Sequence, residues 1–267
     1  MTNINELGLE EVKPLPPSII IYGNHGLGKT TFGSLAPNPV FIRTEDGLGS
    51  IKAKTFPKVE NFDMLMNQLR ELYKKNHDRK TVVIDSLDHL EPMVWEKVLE
   101  ENPSAAKGKP ATGIESYGYG KGYAMALDVW RQLLDALDVL RSEKNMTVIL
   151  TAHAQIKRFE NPQTEPYDRY EMKLHQKASA LVQESADMVL FTSYYTGVRE
   201  SKDSFGNTSV RAIGSGDRFL YTEERPAFQA KNRFSLPSEI PFDKDGAYWG
   251  VIAQKVPYYQ QLLANKE

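Results

Sequence analysis

Eight consecutive residues, Gly23-Asn24-His25-Gly26-Leu27-Gly28-Lys29-Thr30, have the types and spacing of a phosphate cradle, and Thr31 continues it. The glycines let the backbone curl so that successive N–H groups converge on phosphate oxygens, and the helix expected to follow adds its positive end. Lys29 is placed to reach the outer phosphates, and the Thr30 hydroxyl to ligate Mg2+. The expected ligand is therefore ATP with Mg2+. A second half of the same chemistry is written at Thr81-Val82-Val83-Ile84-Asp85. A carboxylate at the C-terminal tip of a buried parallel strand lies where open α/β sheets bind ligands, so Asp85 is expected to share the metal with Thr30.

Hydrolysis needs a further group to orient or deprotonate water. The position after Asp85 is Ser86, so a glutamate directly behind the metal carboxylate is absent. Glu45, at the tip of the segment Pro39–Arg43, is the first candidate. Its competing reading is a solvated residue of the Glu45-Asp46-Gly47 turn. Asp88 is the second carboxylate, and a helix-capping role competes for it. His153 follows the apolar run 147–151 and reads either as a polar residue facing phosphate or as a satisfied core histidine.

These side chains need a frame. Short β-branched runs at 18–22, 39–43, 81–84, 147–151 and 188–192 read as buried strands. Helical spacing appears at 62–75, 87–101 and 124–143, with further helices expected at 30–36, at about 175–185 and after Pro257. Strand-like pieces lie near Val198, at 210–213 and at 228–230. The alternation implies an α/β fold, with a mostly parallel central sheet flanked by helices. Residues 1–17 read as a polar arm ending in a stiff, proline-rich entry, and 18–267 as a single core. Two polar stretches, 102–122 and 156–172, read as long loops.

The order of these parts resembles the RecA/RadA-like P-loop ATPase superfamily, over residues 18 to about 235. Within it, the chain is similar to the core-only, phage-type ATPases of DNA recombination and single-strand annealing. The resemblance implies that Lys29, Glu45 and His153 are the catalytic set, with His153 sensing the γ-phosphate where such proteins usually carry glutamine. It also implies that Lys231 and Arg233, in Lys231-Asn232-Arg233-Phe234, act in trans on a neighbour's ATP within a ring or filament. The two polar stretches fall where RecA-like proteins contact DNA. No separate DNA-binding domain is visible at either end.

Both stretches carry the chemistry that single strands need, which is rings for stacking on bases and cations for phosphates. Tyr117, Tyr119 and Lys121 are the candidates in the first, and Lys157, Arg158, Phe159 and Arg169 in the second. A lid over the nucleotide, or plain surface loops, are the competing readings. The formal net charge of -2 supplies no global field toward nucleic acid, so any such attraction is local. There is no cysteine, which excludes disulfides and thiolate chemistry and fits a reducing cytoplasm. No apolar run long enough to span a bilayer is present, so no membrane partner is expected. The leading expectation is a single-strand-dependent ATPase, with a single-strand DNA-binding protein or other recombination proteins as further partners. A nucleotide-switched DNA-binding or loader protein is the alternative from another class. A P-loop phosphotransferase is disfavoured because 102–122 contains no arginine for a lid.

Overall fold

The computed structural model describes residues 12–49, 51–105, 108–202 and 208–264. Its centre is a sheet in which the strand bearing the glycine loop, β1 (Ser18–Gly23), lies between β7 (Met188–Lys202) and β5 (Thr147–Phe159). Beyond β5 come β4 (Thr81–Asp85), β2 (Pro39–Arg43) and the two-residue β3 (Lys54–Thr55). All these neighbours pair in parallel. On the other flank β7 pairs antiparallel with β8 (Thr208–Tyr221), which pairs with β10 (Glu239–Pro241). The mostly parallel α/β sheet flanked by helices, expected from the alternation of strands and helices, is the observed one.

Alternation along the strands builds two cores. Ile20, Tyr22, Ile42, Val82 and Ile84 face one layer, formed by α2 (Phe62–Lys74), α3 (Leu87–Glu101), α4 (Lys121–Lys144) and α5 (Gln176–Ser185). Ile19, Ile21, Phe41 and Val83 face the other, formed by α1 (Lys29–Ser34), α6 (Tyr248–Lys255) and α7 (Pro257–Ala264). The C-terminal aromatics close this second layer. Trp249 donates its indole N–H to Phe32 O at 3.1 Å, and Phe32 stacks on Tyr248 with centroids 5.4 Å apart.

Three expectations need correction. The stretch 156–172 is mainly an antiparallel ribbon, since β5 runs on past the sheet to Phe159 and pairs with β6 (Tyr167–Met172). The stretch 102–122 holds a 3-10 turn at Ile114–Tyr117 and the first two residues of α4, and its residues 106 and 107 lie outside those described. Gly122 is the joint here, because a Cβ on it would meet Ile114 O at 2.0 Å. Finally, 228–230 is not a strand. Phe228 makes isolated bridges, and the pairing on β7 belongs to β9 (Lys231–Asn232). The proposed arm is described only from residue 12, and the rest of it lies outside the described residues.

Candidate active site

Every strand around β1 runs in one direction, so their C-terminal ends meet along one edge. There Gly23 pairs with His153 on one side and Thr192 on the other, and a Cβ on Gly23 would press within 2.4 Å of Thr192 O. The chain then turns through Gly26 and Gly28, both with left-handed φ (74° and 96°). Lys29 follows, buried, with Nζ donating to Gly23 O at 3.0 Å and Asn24 O at 2.9 Å. Burial lowers the Lys29 pKa, against the pull of Asp85, Asp88 and Glu45, which raise it.

Thr30 Oγ1 donates to Asp85 Oδ2 at 2.8 Å, and Thr151 on β5 donates to Asp85 Oδ1. The residues expected to share a metal are thus brought together, with the carboxylate oriented by the intervening strand. Thr44 Oγ1 accepts from Ser86 N and donates to Ser86 O, both at 2.7 Å, which locks the tip of β2 to the tip of β4. Glu45 follows from that lock, and its Oε1 accepts from Ser86 Oγ at 2.9 Å. His153 is buried. Asp88 accepts both its backbone N–H (3.0 Å) and its Nδ1 (2.8 Å). Burial works to raise the Asp88 pKa, but these hydrogen bonds win and hold it well below the usual carboxylate range. His25 stacks on His153 with ring centroids 3.9 Å apart, and the His153 charge lowers the His25 pKa. Gly26, Gly28, Lys29, Thr30, Thr31, Glu45, Asp85 and His153 line one cleft of about 320 Å³.

Sequence reasoning missed several contributors. Ser86 and His89 sit one helical turn apart, with Ser86 Oγ 2.9 Å from His89 Nδ1; that spacing was the available signal. Asp88, read as a spare carboxylate or a cap, is the partner of His153. Arg218, from β8, places Nη1 3.1 Å from Leu27 O and beside Gly28. No motif surrounds Arg218, and only the β7–β8 register, Tyr194 opposite Arg218, brings it to the loop.

The nucleic-acid candidates divide. Tyr119 and Lys121 are exposed, Arg158 is exposed, and Lys157 and Phe159 are half-buried. Tyr117 is a correction. It is buried, and its hydroxyl donates to Asn102 O at 2.6 Å because the 3-10 turn folds the ring inward. Arg169 is a second correction. It is buried on the Phe159 ring at 3.6 Å and ion-paired with Glu171 and Glu224. Lys231 and Arg233 lie at the opposite edge of the sheet from the glycine loop. Lys231 Nζ caps the last carbonyls of α5, Gln183 and Glu184, and Arg233 pairs with Asp187 at 3.2 Å. Among the described residues no helix is long and apolar enough to cross a membrane.

Fold and cleft together define a P-loop nucleotide-binding protein. The chain belongs to the AAA_24 family, an AAA domain, whose profile matches residues 15–234. It is similar to the SPbeta prophage-derived uncharacterized protein YorG of Bacillus subtilis (strain 168), 24% identical over 258 residues, covering 93% of this chain and 74% of YorG. A comparison with the flagellar accessory protein FlaH of Methanocaldococcus jannaschii covers 86% of this chain and 85% of that one, at 11% identity and a TM-score of 0.38.

Proposed function

We propose that this chain is a Mg2+-dependent ATPase that works on single-stranded DNA in recombination or annealing, as an oligomer. One observation carries the reading: Glu45, Asp85 and His153 converge with Lys29 on a single cleft, and the strand bearing His153 runs on into a ribbon tipped with Lys157 and Arg158. The donor set fits the metal, since the Thr30 hydroxyl and Asp85 carboxylate are hard oxygen donors at contact distance. Bound Mg2+ would neutralise the β- and γ-phosphate oxygens.

The protein's own residues supply the rest. Lys29, whose described hydrogen bonds go to loop carbonyls, swings its ammonium onto the outer phosphates. Glu45, held by Ser86, orients the attacking water and takes its proton. His153, pinned by Asp88, faces the transferred group. Exposed Tyr119, Lys121 and Arg158, with Lys157 and Phe159, supply rings and cations for a strand. The two regions are tied together, because Tyr123 of α4 stacks on His175 just beyond β6, with centroids 3.9 Å apart. Arg233, more than half exposed, is the cation offered to a neighbouring subunit.

The test is ATP hydrolysis with and without single-stranded DNA, with Lys29→Ala as the blank. DNA stimulation that disappears in the variant is expected. A rate indifferent to DNA would separate the ATPase from the nucleic-acid role, and a strictly monomeric protein with ATP present would sink the oligomer.

A further inference from the structure

Glu45 and His153 converge with His89, a side chain to which the proposed ATPase reading gives no task. One ligand atom from each lies within 4.8 Å of the others, which is a spacing one cation can bridge. The three come from different elements, the tip of β2, the first turn of α3 and β5, so the fold rather than local sequence assembles them.

The supporting contacts have the character of a ligand shell. Asp88 Oδ2 lies 2.8 Å from His153 Nδ1, so Nε2 is the ring nitrogen that this carboxylate does not engage. A carboxylate behind a histidine is the usual device for fixing the tautomer and orientation of a metal ligand. The Asp88 bond to the His153 backbone N–H, and the packing of His25 on the ring, hold it further. His89 Nδ1 lies 3.5 Å from Glu45 Oε1, and Ser86 Oγ sits 2.9 Å from each, setting ring and carboxylate relative to one another. His89 is half exposed, which leaves an entry path from solvent.

We propose that Glu45, His89 and His153 form a second divalent-cation site in the nucleotide cleft, separate from the Thr30–Asp85 pair. Two imidazoles and one carboxylate select a borderline ion such as Zn2+ or Co2+ over Mg2+, which prefers oxygen. Three protein ligands leave a position open to water or to a phosphate oxygen. Binding is a property of the cluster alone. Only its task, placing a second charge at the γ-phosphate end, rests on the ATPase reading.

The experiment is a Co2+ titration of the full chain without nucleotide, followed by visible absorption. A single equivalent is expected to give ligand-field bands that persist in Lys29→Ala and survive a large excess of Mg2+. His89→Ala is expected to weaken Co2+ at least 10-fold with its melting temperature retained. His89→Gln, which keeps the bulk, should behave alike and guards against misfolding of the alanine variant. Absence of bands, displacement by equimolar Mg2+, or titrations unchanged in both His89 variants would overturn the site. ATP binding measured on the same samples keeps the two readings apart. A protein that binds ATP without Co2+ defeats only the second site, and one that binds Co2+ without ATP defeats only the nucleotide reading.

Discussion

Lys29 carries a charge into a buried place where its described hydrogen bonds go to two loop carbonyls. Asp85, by contrast, is fully engaged, with Thr30 on one oxygen and Thr151 on the other. On the proposed reading, that asymmetry would leave the cation to meet phosphate and the carboxylate preset for a metal. On the proposed ATPase reading, Glu45 belongs to turnover. Replacing it by glutamine keeps a partner for Ser86 but removes the proton acceptor. Turnover is expected to fall by roughly 10²–10³, within the usual scale for a general base, with the KM for ATP little changed. Steady-state kinetics over an ATP titration reads both. The chemistry of Lys29, Thr30 and Asp85 was legible because each follows from consecutive residues. The Asp88–His153 bond was not, since nothing local marks two residues 65 apart as neighbours. Arg218 was invisible for the same reason.

At the scale of elements, α3 is the busiest piece. Its first turn carries Asp88 and His89, and one turn on, the buried Glu91 accepts the backbone N–H of His175, which caps α5. Burial pushes the Glu91 carboxyl up to about 7, although the His175 N–H works the other way. Between its ordinary value of 4.5 and about 7 the folded chain holds a proton that the unfolded chain has released. Stability from this group is therefore full below that window and falls as pH rises through it. The loss is on the order of 3 kcal/mol. Denaturant melts across this range should show the decline in the wild type and a flatter curve in Glu91→Gln, whose amide keeps an acceptor without a charge. The difference between the two curves isolates Glu91. The ribbon of β5 and β6 was hidden in the sequence for a physical reason. Ile156 is exposed and Arg169 buried, so the two-fold alternation that marks a half-buried strand is absent. Tyr117 was hidden differently, because glycine- and lysine-rich surroundings describe a loop while the 3-10 turn folds its ring into the core.

At the scale of the whole molecule, a net charge of -2 leaves any grip on DNA to a few local cations. If Lys157 and Arg158 meet phosphates, Lys157→Ala with Arg158→Ala should weaken single-strand binding across all sequences. The slope of log affinity against log salt should become shallower by about 1.4, from roughly 0.7 for each contact on single strands. Fluorescence anisotropy at several salt concentrations measures it, and an unchanged slope removes the ribbon from the interface. The parallel sheet itself was readable from its five short apolar runs. The C-terminal layer was not, because α6 shows its purpose only when Tyr248 and Trp249 are seen against Phe32.

β5 pairs with β1 as far as His153 and with β6 from Ala154 onward, with no break between. Five residues of strand span about 17 Å at 3.3–3.4 Å each. The chain has thus built a lever whose fulcrum is the edge of the central sheet. On simple trigonometry over that length, a tilt of about 5° at His153 swings the tip near Arg158 by roughly 1.5 Å. A tilt of that size would be large enough to make or break a hydrogen bond at the far end.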